Sequence, residues 1–520
     1  ALKSGVGLYG GFAGSETDRT QRDPKQRATI LDGTIATLGA YIYGATVITI
    51  PAGSGPDTVV DGFTIQNGES PMGAGICILG GAPVISNNVF NKNGAGILGQ
   101  MTLPDTSGGG IYIADGTATV TGNVFTGNAA LNGGGICIQN GAPVISSNVI
   151  GPSNYAKYGA GVCSLQGTPL IVSNDISGNR GSYGGGAYIL SGLLRDSQIT
   201  NNRVAGGRQE LAGGAGLWLG AAGVAAHNRI VGNGDPLDGT WPGGGGAFVE
   251  GTLLDNVIQD NYAFYGNALM TWGASVVSRN LITYAGSSSL NSQVLSYGGA
   301  FTDNLLVSQS SSGIELWAAA APPLIANNTI INVGETGAPT AKRNGIINEY
   351  GAGEQPTIAN NILVGWDRAG WTYDRGSAKP FFTVTHNDPY GNVDNALDFP
   401  GTAADNKVRN PLFADAASGD YHLTAGSPCI DAGNDAYIAS SDRDLANAPR
   451  ISGAHVDIGA YEYGSPLYTI LDAAEVLRIA AGISVSTPAN VSRLDVVQET
   501  PGTTSLSVAD ATRIAQWLLN

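Results

Sequence analysis

The sequence predicts an all-β fold, a parallel β-helix solenoid followed by a small α-helical module. Two repeated phrases carry this prediction: an Asn followed by two mostly apolar residues, and a glycine cluster followed by an apolar triplet, as in GAGICI from Gly73 and GGGICI from Gly133. Successive glycine clusters start 35, 25, 26, 25, 30 and 30 residues apart. One unit of about 25 residues therefore recurs, as it does in solenoids.

Each unit carries short β-branched runs, such as Pro83-Val-Ile-Ser and Pro143-Val-Ile-Ser, broken by Gly and Asn. Runs of this length and composition are typical of strands, and no segment before the C-terminal region has a helical period. Three strands per unit form one turn of a β-helix, with successive turns about 4.8 Å apart along the axis.

The recurrent Asn is predicted to stack at one inward corner of the coil. There it would adopt the left-handed conformation and pass amide hydrogen bonds to the same residue in the neighbouring turns. Ser197 fills the position in one unit. The ladder consists of Asn88, Asn123, Asn148, Asn174, Asn228, Asn256, Asn280, Asn304, Asn328 and Asn361.

The middle residue of each apolar triplet is expected to point away from the core, because side chains alternate along a strand. These residues are Cys77, Tyr112, Cys137, Cys163, Tyr188, Trp218 and Phe248. Exposed aromatic faces stack on sugar rings, so Tyr112, Tyr188, Trp218 and Phe248 are candidate carbohydrate-binding residues. Alternatively, the insertions at 101–107, 206–212 and 234–242 fold over this column and make it a satellite core.

Cys137 and Cys163 occupy this position in successive turns, so their Cα atoms are expected about 5 Å apart. That separation permits a disulfide, although in-register parallel neighbours rarely have suitable side-chain directions. The sequence is compatible both with a disulfide between these two cysteines and with two free thiols. A metal site at the cysteines is less favoured, since no His lies near them in sequence.

The amino-acid composition of the chain argues against several classes of protein. The chain has 78 Gly, 42% hydrophobic and 13% charged residues, which suits a folded solenoid rather than a disordered chain. A net charge of -16 and few Lys and Arg argue against nucleic-acid binding. No apolar run of eighteen residues predicts a membrane span.

Two phrases near the ends resemble a known group. LKSGVGLYGGFAGSETDRTQRDPKQRATILDG at 2–33 resembles the early part of bacterial secreted right-handed parallel β-helix proteins, which share the pectate-lyase-like superfold. AGSPCIDAGND at 425–435 with VDIGAYEY at 456–463 resembles their closing segment. The resemblance covers most of residues 1–464 and implies a right-handed coil and an extracellular or cell-surface location. It also implies sequence before residue 1, so the N-terminal end of the stack is expected to be open.

Residues 465–520 are expected to form a separate module. ILDAAEVLRIAAG at 470–482 and LSVADATRIAQWLLN at 506–520 are amphipathic and resemble the two helices of a dockerin-type module. Calcium loops need oxygen ligands at fixed places, and few remain here. No cofactor is therefore expected; calcium held by Asp472, Glu499 and Asp510 is the alternative. Helix docking is expected to serve self-association or a cell-surface partner.

Catalysis is not favoured by the sequence. The superfold hosts lyases and polygalacturonases, but the Asn-Thr-Asp, double-Asp, Gly-His-Gly and Arg-Ile-Lys phrases of polygalacturonases are absent. The carboxylates that could serve a hydrolase or lyase are scattered, and no catalytic residue is assigned. They are Asp57, Asp61, Asp235, Asp238, Asp255 and Asp260.

The expected function is therefore an extracellular structural or surface-assembly β-helix that associates with glycan and polymerises head to tail into a filament. The polymerisation would dock the C-terminal segment of one subunit on the open N-terminal turn of the next. The alternative is a polysaccharide lyase or carbohydrate-binding module acting on an acidic polysaccharide.

Overall fold

The computed structural model describes the chain except for several segments between strands and the C-terminal region. The described residues are 1–38, 41–94, 106–204, 213–234, 243–285, 292–309, 312–317, 322–334, 343–349, 355–373, 381–439 and 442–465. The side chains of 35–38 and 41–44 are not described. The predicted helical module at 465–520 lies, except for residue 465, outside the described residues.

The chain coils as a right-handed parallel β-helix with three sheets, as the sequence predicts. Sheet 1 contains the strands formed by the apolar triplets. Its strands are Ile48–Ile50, Ile76–Ile78, Ile111–Ile113, Ile136–Ile138, Val162–Ser164, Ala187–Arg195, Leu217–Ala226, Ala247–Val249, Leu269–Trp272, Val294–Tyr297, Ile314–Leu316, Asn344–Asn348, Arg368–Thr372 and Asp394–Asp398.

Sheet 2 follows each sheet 1 strand after a short turn. The long strands Ala187–Arg195 and Leu217–Ala226 continue from sheet 1 into sheet 2 and join the two sheets. The remaining strands are Gly7–Tyr9, Val59–Asp61, Val84–Ser86, Thr119–Thr121, Val144–Ser146, Leu170–Val172, Thr252–Leu254, Val276–Ser278, Ala300–Thr302, Leu324–Ala326, Thr357–Ala359, Phe382–Thr385 and Gly401–Ala404.

In most turns two residues separate a sheet 2 strand from the sheet 3 strand that follows it, and the second of them occupies the ladder position. Its strands are Thr29–Asp32, Phe63–Gln66, Val89–Asn91, Val124–Thr126, Val149–Ile150, Asp175–Ser177, Gln198–Thr200, Arg229–Val231, Val257–Gln259, Leu281–Tyr284, Leu305–Ser308, Thr329–Asn332 and Ile362–Val364.

Shorter elements complete the described part of the chain. Four turns add a small parallel sheet beside sheet 1, formed by Ala129–Asn132, Tyr155–Tyr158, Arg180–Tyr183 and Arg203–Val204. Antiparallel pairs join Thr34–Leu38 to Tyr41–Gly44 and Phe413–Asp415 to Asp420–Leu423. Single 3₁₀ turns span Arg19–Gln21, Ala416–Ser418 and Asp435–Tyr437. In the described residues no helix is long and apolar enough to span a bilayer.

The core lies inside the coil and is stacked turn upon turn. Most sheet 1 strands contribute their two flanking residues, such as Ile76 and Ile78, and most strands of sheets 2 and 3 contribute their middle residue. Equivalent residues face each other in register; Phe90 and Phe125 stack with ring centroids 4.6 Å apart. The period-2 alternation of three-residue strands is therefore what buries the apolar surface.

The predicted Asn residues line the corner between sheets 2 and 3 and are buried. Asn123 donates through Nδ2 to Asn148 Oδ1 at 3.0 Å, and its backbone N donates to the same oxygen at 2.9 Å. Asn148 makes the same two bonds, both 3.0 Å long, to Asn174. The chain of bonds continues past Asn361 to Asn387 and Asn406, two members that the sequence analysis missed.

The prediction that the ladder Asn itself adopts the left-handed conformation is wrong. The left-handed residue is the one before it, for example Ser147 with φ 54° and Ser173 with φ 55°. The preceding residue makes the bend, which leaves the Asn side chain directed into the coil to bond its neighbours.

A second Asn ladder, which the sequence analysis also missed, lies at the corner after sheet 3. Asn128 Nδ2 donates to Asn154 Oδ1 at 3.0 Å, and Asn154 Nδ2 donates to Asn179 Oδ1 at 2.9 Å. Its buried members are Asn93, Asn128, Asn154, Asn179, Asn202, Asn233 and Asn261. Both corners of sheet 3 are thus fixed by amides that satisfy one another.

The closing segment, whose described residues are 411–439 and 442–465, packs against the outer face of sheet 3. Its Ile458 and Leu423 pack with Ile362 of that sheet, and Ala460 N donates to Thr329 Oγ1 at 3.0 Å. The fully buried Arg450 lies 3.3 Å from both Asp303 of the coil and Glu462 of the segment. Burial raises the pKa of Glu462 to about 8 and that of Asp303 to about 6.

Candidate functional site

The outward column of sheet 1 is largely covered. Its members pair in register from Cys77 through Trp218 to Phe248. Tyr112 and Phe248 are each only 8% exposed, so neither ring stands free on the surface. Tyr188 and Trp218 are half-buried. Carbohydrate binding by these four residues stays a prediction.

Ring stacking within the column explains this burial. Trp218 lies parallel to Phe248 with centroids 3.8 Å apart, and Tyr188 lies 5.9 Å away on the turn before. Tyr183, from the small parallel sheet, meets Trp218 edge-on at 5.3 Å. Because in-register rings stack along the coil axis, their faces contact one another and are occupied by protein. This geometry favours the satellite-core alternative for Trp218.

Gly243 makes room for the next side chain of this column, because a Cβ there would lie 2.2 Å from Sδ of Met270. A Cβ at Gly213 would lie 3.4 Å from the ring of Trp218, which is an ordinary contact distance. The side chains of the outward column therefore lean over the glycine corner. The insertions 101–107, 206–212 and 234–242 fall mostly outside the described residues.

The cysteines of this column are free thiols. Cys137 and Cys163 are in-register neighbours, fully buried between Tyr112, Tyr158 and Tyr188. Burial raises the pKa of the Cys163 thiol, with the neighbouring Cys137 adding to the effect. The two thiols act here as small core side chains.

A second outward column, two residues further along each strand, carries aromatic and acidic groups, of which Trp272 and Tyr373 are exposed. In-register strands place these residues on consecutive turns. The column reads Glu250, Trp272, Tyr297, Trp317, Glu349 and Tyr373. The repeated triplet ends one residue before this column, so the repeat pattern alone does not reveal it. Comparing the residues two positions after the centre of each triplet would have revealed this column.

We define the Trp272 face as Glu250, Trp272, Tyr297, Glu315 and Trp317. Trp272 is 47% exposed and lies 4.7 Å from the tilted ring of Tyr297. Tyr297 in turn meets Trp317 edge-on at 5.5 Å. The aromatic groups therefore form a continuous strip over three turns, about 10 Å long at the spacing of parallel strands.

Glu315 holds the end of this strip in place. Its carboxylate accepts a hydrogen bond from Trp317 Nε1 at 2.5 Å and another from Ser292 Oγ at 2.6 Å. Tyr265 also packs edge-on against Trp317 at 5.7 Å. The indole is thus fixed on several sides, which lowers the entropy lost when a ligand packs against it.

The face is acidic. Arg279 is the only Lys or Arg from residue 230 to residue 341. It lies at the ladder corner, where its Nε and Nη2 each donate to Asp255 at 2.8 Å. Burial raises the pKa of the Glu250 carboxyl. The next described cation along the coil is Arg343, one turn after Trp317 and before the strand Asn344–Asn348, where its Nη1 donates to Gln309 O at 3.3 Å. Arg368, one turn further, lies 4.5 Å from the ring of Trp371.

The candidate carboxylates from the sequence are not brought together as one group. Asp61 binds Ser86, Asn87 and Arg22 in the N-terminal turns. Asp260 caps Ala285 N at 2.9 Å on another corner. Asp57 is exposed near the first turns, and Asp235 and Asp238 lie outside the described residues.

No metal site is present among the described residues. Within the part of the chain that the structure describes, no three His, Cys, Asp or Glu side chains cluster closely enough to hold an ion. The predicted calcium ligands Asp472, Glu499 and Asp510 lie outside the described residues.

Comparison with known proteins agrees with the fold. Residues 100–263 match a family model described as a right-handed beta helix region. A crystal structure of pectate lyase Pel9A matches with 14% identity and a TM-score of 0.33, covering 81% of this chain and 97% of that chain. A likeness at this level says nothing about activity. No curated protein matches the chain.

Proposed function

We propose that this β-helix binds a polysaccharide along sheet 1 through the Trp272 face. The observation that carries the proposal is the row of aromatic and carboxylate side chains on consecutive turns, with Trp272 nearly half exposed at its start. Aromatic rings pack against the apolar faces of sugars, and carboxylates accept hydrogen bonds from their hydroxyls.

The arrangement suits a linear polymer. Equivalent side chains repeat about every 4.8 Å along the coil axis, so a chain lying parallel to the axis meets the same kind of contact at each turn. Large single-residue aromatic contacts of this type dominate binding energies, since they bury much surface at little entropic cost.

A lyase is less well supported. Proton abstraction from a uronate needs a base, usually Lys or Arg, near the bound sugar. From residue 230 to residue 341 the chain offers only Arg279, which is bound by Asp255 at a different corner. The lyase alternative therefore lacks a Lys or Arg base among the described residues of the Trp272 face.

Affinity electrophoresis tests the proposal, with hydroxyethylcellulose, glucomannan or polygalacturonate cast in the gel. We expect retardation of the native protein by at least one polymer. Trp272→Ala should weaken it about tenfold or more, because a Trp that contacts the ligand directly typically contributes about 2 kcal/mol to binding. Tyr155→Ala, at a ring that is 40% exposed on the small parallel sheet, is the matched control and should bind normally.

Two outcomes would refute it. Either no polymer retards the native protein, or the Trp272→Ala protein is retarded as strongly as the control. Equal melting temperatures of the two variants would exclude unfolding as the reason for lost binding.

We also propose a surface-assembly role in an extracellular setting, as expected from the sequence. The segment that would mediate assembly lies outside the described residues, so its test is a deletion of residues 467–520. Loss of fibres in electron micrographs would support head-to-tail assembly. A full-length protein that stays monomeric at high concentration, or fibres that survive the deletion, would refute it.

A further inference from the structure

We infer that the polysaccharide bound at the Trp272 face is built of neutral sugars rather than uronates. This inference rests on the proposed glycan binding and names the class of ligand. It departs from the acidic-polysaccharide alternative considered from the sequence. The basis is the sign and placement of the charges around the strip.

Charged residues are scarce in the turns that carry the strip. From residue 269 to residue 317 the sequence contains only Arg279, Asp303 and Glu315. Arg279 and Asp303 are the left-handed residues of the ladder corner, between sheets 2 and 3. There they pair with Asp255 and Arg450. Glu315 is therefore the only charge that these turns place on the face.

The adjoining turns add further negative charge, and their described cation Arg343 lies at the opposite end of the sheet 1 strands from Trp317, where its Nη1 donates to Gln309 O at 3.3 Å. Glu250 precedes Trp272 in the outward column, and Glu349 follows Trp317. The segments 286–291, 310–311 and 318–321, which connect these turns, contain no charged residue. Arg368 lies two turns beyond Trp317, about 10 Å along the axis, and is packed on Trp371.

A uronate chain would place a carboxylate on every sugar next to these glutamates. Like charges at such separations repel, and the described cations of these turns, Arg279 and Arg343, bind groups at other corners of the coil. Neutral sugars instead offer hydroxyl donors. Glu315 has two donors bound, Trp317 Nε1 and Ser292 Oγ, and a carboxylate has about four acceptor positions. The remaining positions can receive hydroxyls from a neutral polymer.

Isothermal titration of the full chain with neutral and acidic oligosaccharides tests the inference. The probes are cello- and manno-oligosaccharides against oligogalacturonates of the same length, in low salt and in high salt. We expect the neutral ligands to bind about tenfold or more tightly at low salt. The discrimination should shrink in high salt, because salt screens the repulsion.

Glu315→Gln supplies the matched perturbation. It removes one charge from the face while keeping a side chain of the same shape, so the neutral-to-uronate affinity ratio should fall about fivefold or more. Asp175→Asn removes one charge from an exposed position on sheet 3 and should leave the ratio unchanged.

The outcomes separate this inference from the proposed function. Binding of oligogalacturonate as tight as that of neutral ligands, lost in Trp272→Ala, would overturn the inference and leave glycan binding standing. An unchanged ratio in Glu315→Gln would also overturn it. If neither class binds, the proposed function fails and the inference fails with it.

Discussion

Replacing Asn148 tests whether the buried amide ladder holds the coil together. In the native protein its Oδ1 accepts both the backbone N–H and the Nδ2 of Asn123, at 2.9 Å and 3.0 Å. Its own Nδ2 donates to Val120 O and to Asn174 Oδ1, each at 3.0 Å. Asn148→Ala removes all four bonds at a position that is 1% exposed.

The expected cost follows from which partners lose their only bond. Asn123 Nδ2 keeps Ile85 O at 2.9 Å and Thr121 O at 3.0 Å, so its two hydrogens stay satisfied. The backbone N–H of Asn123 has no such substitute and becomes an unpaired buried donor. An unpaired buried donor costs about 1 to 3 kcal/mol, which is the destabilisation we predict for Asn148→Ala.

The chain itself provides a graded comparison. Ser197 occupies a ladder position, and its Oγ accepts the backbone N–H of Asn174 at 3.1 Å. Asn148→Ser should therefore preserve an acceptor for Asn123 and cost less than Asn148→Ala. Asn140→Ala, at an exposed position of the same turn, is the control and should stay within about 0.5 kcal/mol of the native protein.

Urea unfolding gives the free energies, and hydrogen exchange localises the effect. The amide of Asn123 should exchange about tenfold faster for each 1.4 kcal/mol lost. Local exchange is needed because turns of a solenoid can open separately. Equal costs for the Ala and Ser variants, or an Asn148→Ala cost no larger than that of Asn140→Ala, would refute the ladder's contribution.

Two further predictions concern packing and pH. Trp218→Ala should destabilise by about 3 kcal/mol, because the ring stacks on Phe248, and a melting temperature unchanged from the native protein would instead support an exposed binding role. The pKa values of Glu462 and Asp303 in the folded protein are about 8 and about 6, above their ordinary values. The protonated carboxyls therefore stabilise the folded state fully below about pH 4, and this stabilisation declines as the pH rises to about 8. In Glu462→Gln the urea concentration at half unfolding should fall less between pH 5 and pH 8 than it does in the native protein. An equally steep fall would contradict the raised pKa of Glu462.

The repeated part of the fold could be predicted from sequence because each turn repeats the same local chemistry. A glycine cluster, an apolar triplet and an Asn recur at nearly constant spacing, and the in-register pairing of equivalent residues follows from that period. The second Asn ladder obeys the same rule: Asn128 and Asn179 each follow the first ladder by five residues. It was missed because no fixed apolar pair follows it.

The site could be predicted only in part. Sequence alternation placed Trp218 and Phe248 on the outside of sheet 1, but it could not show that in-register rings would stack on one another and bury their faces. The exposed strip begins at Trp272, where the triplet pattern has already become irregular. Position in the strand, rather than the repeated phrase, determines exposure there.

The sequence identifies the closing segment as a unit, but it does not show which sheet of the coil the segment packs against. Ala460 bonds Thr329 across 131 residues of sequence, and Arg450 joins Asp303 to Glu462. Contacts at this separation depend on the three-dimensional course of the coil. No local pattern in residues 411–465 specifies which sheet they cover.

Hydroxyl-radical footprinting with and without a bound neutral oligosaccharide tests glycan binding at the Trp272 face most directly. The measurement reports the solvent accessibility of individual side chains by mass spectrometry. We predict that oxidation of Trp272 falls when cello- or manno-oligosaccharide is present, while oxidation of Tyr155, which is 40% exposed on the small parallel sheet, stays constant. Unchanged oxidation of Trp272 at saturating ligand, with protection at another surface, would contradict the assignment.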